Sequence, residues 1–206
     1  MDFLLHIDKY LAGLIDHYHN YTYLILFGMI FIETGIVIAP FIPGDSLLFA
    51  TGALVAGGHT GLNIYLLALL LIIAAFSGDV LNYRLGGYFG PRIFKQGNKI
   101  LKPEYYHRTE TFFKQHGGKS IALGRFMPVI RTFVPFVAGV SRMSTARFLG
   151  FNITGGSIWV LLFLSLGYFF GIIPLIKNNF TLFIIGIVII SLIPVLLAAF
   201  SKKKKE

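Results

Sequence analysis

The amino-acid sequence predicts an all-α polytopic membrane protein: four transmembrane helices, two opposed re-entrant helical hairpins in an inverted-repeat arrangement, and amphipathic interfacial helices. Three observations carry this. Hydrophobic residues make up 55% of the 206-residue chain and charged ones 13%, against about 25% charged in a soluble domain. The apolar residues come in blocks of about twenty, the length that crosses a bilayer. Two further apolar blocks are cut by proline, glycine and charge, a pattern tolerated at membrane depth only inside protein or beside a wet cavity.

Residues 1–20 carry Asp2, Asp8 and Asp16 but only Lys9 as a fixed cation. They lack the basic start and small-residue cleavage site of a secretory signal, so no cleavage is expected. Leu4, Leu5, Leu11 and Ile15 recur near helical spacing, which fits a short amphipathic helix in the interface or a plain polar lead-in. A single membrane domain covers residues 21–200. Its first span, about 21–39, is YTYLILFGMIFIETGIVIA, interrupted only by Glu33. Residues 40–58 break at Pro40, Pro43, Gly44 and Asp45 before about a dozen apolar residues, too few to cross, and predict the first re-entrant hairpin. A second span covers about 62–81.

The segment 84–116 is a basic amphipathic stretch, with Arg84, Arg92, Lys95, Lys99, Lys102, Arg108 and Lys114 against Glu104 and Glu110. Positive charge of this density marks a cytoplasmic segment. Pro103 with Glu104 opens a helix there, and His116 with Gly117 closes it. The second hairpin, about 117–140, is broken by Arg125, Pro128, Arg131 and Pro135. Spans at about 148–173 and 180–200 follow, and the basic tail 201–206, SKKKKE, belongs in the cytoplasm with some affinity for anionic lipid. Counting crossings back from the basic middle places both termini inside and makes the hairpins dip from opposite faces. That symmetry lies in hydropathy and breakers rather than in residues. The surplus of 18 Lys and Arg over 9 Asp and Glu, net +9, is thus a topology signal and not a nucleic-acid footprint.

Chemistry is narrowed by the absence of cysteine, which excludes disulfides, thiolate nucleophiles, iron–sulfur clusters and Cys-ligated zinc. The six histidines fall at interfacial or loop positions and make no metal set. Five charges lie in apolar territory: Glu33, Asp45, Asp79, Arg125 and Arg131. Each central charge costs about 2.5–3.5 kcal/mol on insertion scales, so they must pair, face water or bind something. Mutual neutralisation is one reading; an ion or substrate site is the other. Glu33 and Asp45 are twelve residues apart across a turning chain, and two neighbouring carboxylates in a dry site rarely both ionise, the arrangement needed to carry a proton. Asp45 and Ser46 are also good N-cap residues, so capping alone accounts for Asp45 equally well. Arg125 and Arg131 flank Pro128, which can redirect the chain so that both forks converge. Paired guanidiniums suit a phosphate, from a lipid headgroup or from a small soluble anion. Asp79 lies near Arg84 and the inner end of its span, which favours a structural ion pair or polar anchor. The G-x-x-x-G spacings at Gly86–Gly90 and Gly167–Gly171, and Trp159, are read as close packing.

At FIETG with Glu33, PFIPGDSLL from Pro40 to Leu48, GD at Gly78 and Asp79, and GRFMPVIRTFVPFVAG from Gly124 to Gly139, the sequence resembles the DedA family, also described by its VTT or SNARE-associated domain. The resemblance covers roughly Tyr21 to Phe170. It implies two opposed re-entrant hairpins and a role in moving lipids across the bacterial inner membrane. Undecaprenyl phosphate recycling and phosphatidylethanolamine flipping are attributed to members, as is dependence on proton-motive force. The family's essential acidic pair falls on Glu33 and Asp45, and its essential arginines on Arg125 and Arg131.

The expected function is therefore a proton-coupled lipid transporter, with undecaprenyl phosphate as first candidate and phosphatidylethanolamine or general phospholipid movement as the alternative. Arg125 and Arg131 hold the phosphate, Glu33 and Asp45 exchange the proton, and Pro40, Pro43, Gly44, Ser46 and Pro128 form the hairpin tips. The expectation includes no cofactor beyond the proton gradient, no nucleic-acid partner and no enzymatic activity, and leaves a homo-oligomer open. A lipid phosphatase lacks a nucleophile in either hairpin. A non-transporting scaffold, in which the charges merely neutralise one another, is the remaining reading.

Overall fold

The computed structural model describes residues 13, 17–18, 20–36, 44–58, 60–93, 121, 125, 131–171, 173 and 186. Among these, every regular element is helical: α1 (Tyr21–Gly35), α2 (Gly44–Ala56), α3 (Ile64–Ile93), α4 (Phe133–Val140) and α5 (Thr145–Phe170). α3 and α5 are long and apolar enough to cross a membrane. α1 and α2 are shorter apolar helices.

Local chemistry sets the ends. α1 stops where Gly35 gives way to the extended Ile36. Gly57 and Gly58 end α2, the latter at φ +76°, a left-handed position that glycine reaches without steric cost. Asn63 opens α3 by accepting from the N–H groups of Tyr65 and Leu66 at 2.9 and 3.2 Å, which satisfies two of the unpaired amides at a helix start.

The directions of the helices follow from their cross-links. Asn63, just before α3, donates its N–H to the Tyr23 hydroxyl near the start of α1 at 2.7 Å, and farther along Asn82 donates to the Thr34 carbonyl at 3.1 Å. α1 and α3 therefore run the same way. α3 and α5 run oppositely, because the Tyr83 ring stacks on Phe148, centroids 4.2 Å apart, while the Phe76 carbonyl accepts from Asn152 at 3.3 Å.

Each short helix α2 and α4 packs on a long helix from the other half of the chain: α2 on α5, and α4 on α3. Both contacts are built alike. A Cβ on Gly52 would overlap the Leu164 carbonyl oxygen, and one on Gly167 would overlap that of Phe49. In the other contact a Cβ on Gly86 would overlap the Phe136 oxygen, and one on Gly139 that of Tyr83. Each glycine thus faces the carbonyl three residues before its partner glycine, letting the two backbones touch as small residues do in membranes. The repeat symmetry expected only in hydropathy is present in residues: Phe49 with Gly52 matches Phe136 with Gly139, and Tyr83 with Gly86 matches Leu164 with Gly167. The G-x-x-x-G glycines join the same contacts, with Gly90 against Val140 and Gly171 against Ala53.

Two apolar clusters result. One joins Leu26, Ile30, Leu47, Leu71, Trp159 and Leu164; the other centres on Ile121, Ala138 and Phe148. Outward, Leu24, Tyr65, Leu69, Ile73, Ile158 and Leu161 are exposed, the apolar exterior that lipid rather than water accepts.

Several expectations change. The span expected at 21–39 is the fifteen-residue α1, about 22 Å long against a hydrocarbon core of about 30 Å. Its start lies beside the start of α3, and the end of α2 leads back to that same level through Gly58 and Asn63. α1 and α2 are therefore the two limbs of one returning unit, which hydropathy divided into a span and a hairpin. The second span runs on to Ile93, through the start of the expected basic segment at Arg84. Nearly all of the fourth expected span and of residues 1–20, and all of the tail, the segment 94–120, Pro40, Pro43 and Pro128, lie outside the described residues.

Candidate functional site

All five intramembrane charges are buried, none more than 8% exposed, and they meet between the two apolar clusters. Burial without partners would cost several kcal/mol per ion, so the pairing is what keeps them there. Glu33 comes from the last turn of α1, Asp45 from the first turn of α2, and Arg131 from just ahead of α4. Arg131 reaches both carboxylates at once. One guanidinium nitrogen pairs with Glu33 Oε1, and the other lies 2.8 Å from Asp45 Oδ1. The expected approach of Glu33 to Asp45 is therefore realised through a shared cation, and the two broken segments of the chain meet.

Glu33 also caps a helix it does not belong to. Its Oε1 accepts the N–H of Gly44, the first residue of α2, at 2.8 Å, where the helix dipole favours an anion. A Cβ at Gly44 would overlap the Glu33 carboxylate, so any larger residue there pushes that carboxylate aside. Capping does not account for Asp45: its Oδ1 is engaged by Arg131 and by the indole N–H of Trp159 at 2.7 Å. Ser46 is fully buried and its hydroxyl has no hydrogen-bond partner among the described residues.

Arg125 forms the second half of the site. It pairs with Asp79 and donates to the Asn152 side chain, and Gly156 leaves room for its guanidinium, which a Cβ there would approach to 3.1 Å. This corrects the placement of Asp79. Arg84 lies five residues along the same helix, about 140° around it, and is exposed; Asp79 instead sits near the middle of a helix that continues to Ile93. The two arginines do not converge on one another's partners. They do line one cavity of about 10 Å³, together with Thr34, Asp79, Thr132 and Trp159, which has room for about one water molecule. Arg125 Nε and Thr132 Oγ1 are buried without a hydrogen-bond partner among the described residues.

Three participants were not singled out in the sequence. Trp159, read as packing, holds both members of the principal pair: it donates to Asp45, and the Arg131 guanidinium carbon lies 4.8 Å from its ring centroid, a cation–π contact. A lone Trp in mid-span, whose N–H must find an acceptor, was the available signal. Asn82 and Asn152 are polar residues inside apolar helices and carried the same signal. Asn82 donates to the Thr34 and Thr132 carbonyls, at 3.1 and 2.6 Å, tying α1 to the entrance of α4. Trp159→Phe keeps the ring but removes the N–H. The expected loss is about 1.5–3 kcal/mol, the worth of a hydrogen bond to a charged group, read as a lower unfolding temperature in detergent. No change in that temperature would show the indole N–H to be idle.

Among the described residues, no group of three or more His, Asp or Glu side chains is arranged to hold a metal ion. The arrangement can hold an anion: two guanidiniums and Thr132, at the N-terminal end of α4, line one small space, and the N-terminal Gly44 amide of α2 already holds the Glu33 carboxylate beside it. It can also hold a proton, because three carboxylates share two fixed cations.

The family model of the VTT domain matches residues 42–169. The chain is 47% identical over 195 residues to Protein DedA of Escherichia coli (strain K12), covering 94% of this chain and 89% of that protein. It is 41% identical over 172 residues to an uncharacterized membrane protein of Mycobacterium tuberculosis (strain H37Rv), covering 83% and 75%. The inner membrane protein YqjA of Escherichia coli (strain K12) is 38% identical over 153 residues, covering 74% and 69%. No solved structure matches. With all of its buried charge cluster except Glu33 inside the matched region, and with a relative 47% identical over 94% of its length, the chain belongs to the DedA family of VTT-domain membrane proteins.

Proposed function

We propose that the protein moves a lipid phosphate across the bacterial cytoplasmic membrane, driven by protons, with undecaprenyl phosphate returning from the outer to the inner leaflet as the substrate. One observation carries this reading: Arg131, from the second half of the chain, is locked to Glu33 and Asp45 of the first half where the N-terminal ends of two short helices meet. Secondary transporters place anion sites at such ends, near the bilayer midplane. In this arrangement α3 and α5 cross the bilayer, α1 with α2 forms one re-entrant hairpin, and α4 with the segment before it forms the opposed one. The apolar stretch 180–200 supplies a further crossing. With the basic residues after α3 inside, the start of α1 faces outward and the tail 201–206 lies in the cytoplasm. Arg125 and Arg131 hold the phosphate, and Glu33 and Asp45 exchange the proton.

A second reading is favoured by the charge balance of the cluster. Glu33, Asp45 and Asp79 outnumber Arg125 and Arg131 by one, and the surplus acid suits the ammonium of a phosphatidylethanolamine headgroup.

Transport of labelled undecaprenyl phosphate and phosphatidylethanolamine into proteoliposomes, with and without an imposed pH gradient, tests both. Gradient-driven movement of undecaprenyl phosphate, lost in Arg125→Ala, is the expected result. Gradient-driven movement of phosphatidylethanolamine alone moves the assignment to the second reading. Equal movement of both lipids without a gradient defines a scramblase, and movement of neither leaves a scaffold.

A further inference from the structure

We propose that the Glu33 carboxylate stands where the substrate phosphate binds, so that a phosphate headgroup enters the site only together with a proton that releases Glu33 from Arg131. This rests on the lipid-phosphate reading above and adds its order of events: carboxylate and phosphate compete for one set of donors.

The geometry around Glu33 carries the inference. One oxygen of its side chain accepts both the backbone N–H of Gly44 and a guanidinium N–H of Arg131. A helix N-terminal amide joined to an arginine is the donor set proteins present to phosphate oxygens. The other oxygen, Oε2, is buried with no hydrogen-bond partner among the described residues. Glu33 thus leaves half its acceptor capacity unused there and borrows its donors from α2 and from ahead of α4.

Both guanidiniums are already held by acids, although Arg125 Nε has no hydrogen-bond partner among the described residues. Arg131 is shared between Glu33 and Asp45 and covered on one face by Trp159; Arg125 is taken by Asp79 and Asn152. The cavity beside them, about 10 Å³, admits about one water molecule, far less than a phosphate. A phosphate therefore gains the forked end of the Arg131 guanidinium only by displacing a carboxylate. Among the described residues the charged groups facing the site are Glu33 on α1, Asp45 on α2, Asp79 on α3, and Arg125 and Arg131 ahead of α4, with the neutral Trp159 and Asn152 on α5. These three acids and two cations already carry one surplus negative charge when ionised, and adding an anion to them in a low-dielectric site is strongly opposed. Protonating Glu33 removes the surplus and vacates Arg131 and the Gly44 amide in the same step. The excess acid that looks unfavourable for an anion site is thus what ties the anion to the proton.

The test counts protons. Purified protein in detergent is titrated by calorimetry with farnesyl phosphate, a phosphomonoester lipid, and with dihexanoylphosphatidylglycerol, a phosphodiester whose headgroup does not titrate near neutrality. Each titration is run in two buffers of different ionisation enthalpy, which yields the protons taken up per headgroup bound. Wild type is expected to take up about one proton more than Glu33→Gln, and its affinity to rise about tenfold for each unit of falling pH, the signature of one linked proton. Glu33→Gln keeps an amide oxygen for Gly44 and is expected to bind with little pH dependence. Asp45→Asn, which leaves Glu33 on Arg131, is expected to retain the extra proton; loss there with retention in Glu33→Gln overturns the assignment to Glu33. Should Glu33→Gln fail to fold, the wild type with the phosphodiester decides alone. Binding without proton uptake overturns the inference and leaves the lipid-phosphate reading standing, whereas binding of neither probe at any pH overturns both. A proton difference with farnesyl phosphate alone supports a site for phosphomonoester lipids, and one with both probes supports a site for phosphate headgroups in general.

Discussion

Replacing Arg131 with Ala is expected to abolish lipid movement in proteoliposomes and to lower stability by about 3–5 kcal/mol, the penalty for stripping the partner from a buried charge. Two acids lose their cation at once, since Glu33 and Asp45 both rest on Arg131. The Trp159 ring loses the guanidinium it faces at 4.8 Å. Arg131→Lys restores the charge but not the fork, because an ammonium cannot serve two carboxylates from fixed, planar positions; it is expected to recover most of the stability and little of the transport. The informative variant removes the charges on both sides. Arg131→Met combined with Glu33→Gln and Asp45→Asn leaves no uncompensated ion, and swaps of this kind often restore stability. A thermal unfolding midpoint near wild type together with transport at background is the expected pair of results. Wild-type transport by that triple variant would sink the functional assignment, because a cluster that serves only to hold helices together can be replaced by uncharged side chains.

The second large effect is expected at the backbone contacts. Gly167→Ala places a methyl group into the Phe49 carbonyl, a rigid neighbour rather than the end of a movable side chain. Overpacking of this kind costs about 1–3 kcal/mol. Gly52→Ala meets the Leu164 carbonyl in the same contact, so the double variant is expected to lose less than the sum, since one separation of α2 from α5 relieves both clashes. Gly28→Ala is the internal control: its Cβ meets nothing within 4 Å, and Ala in a helix interior is favoured over Gly by about 1 kcal/mol. Unfolding midpoints measured in one detergent compare all four proteins. Equal loss at Gly28 and Gly167 would show that the penalty comes from glycine removal in general. The contact also reaches the site, because parting α2 from α5 draws Asp45 away from the Trp159 N–H that it accepts at 2.7 Å.

Much of the site was legible because charge in apolar sequence is expensive. Glu33, Asp45, Arg125 and Arg131 stood out on that ground alone, and the structure brings all four into one buried layer. Asp79 was misplaced for a definite reason: nearness in sequence to Arg84 was taken for nearness in space, although five residues on a helix point well apart. Trp159 was passed over because an aromatic residue in an apolar run raises no cost until its N–H is considered. Hydropathy located α3 and α5 but could not separate a crossing from a returning limb. α1 is as apolar as a span, and only the Tyr23 to Asn63 hydrogen bond reveals that it starts level with α3. The repeat was legible as a pattern of breakers, whereas its residue basis was not. The matching glycines lie on helices paired across the two halves, and no local window contains both members of a contact.

That cross-pairing sets the order in which the molecule can be assembled. α2 packs on α5, and roughly a hundred residues separate them in the chain, so at about 5–20 residues per second the ribosome delivers the partner of α2 about 5–20 s after α2 itself. For most of that interval Glu33 and Asp45 have been synthesised and Arg131, fourteen residues ahead of α5, has not. Neither half can complete its own contacts, and the first must wait at the translocation machinery or the bilayer surface with its acids uncompensated. The protein is therefore one cooperative unit by construction, and its first hairpin is a natural client for whatever factor holds unfinished membrane segments during synthesis.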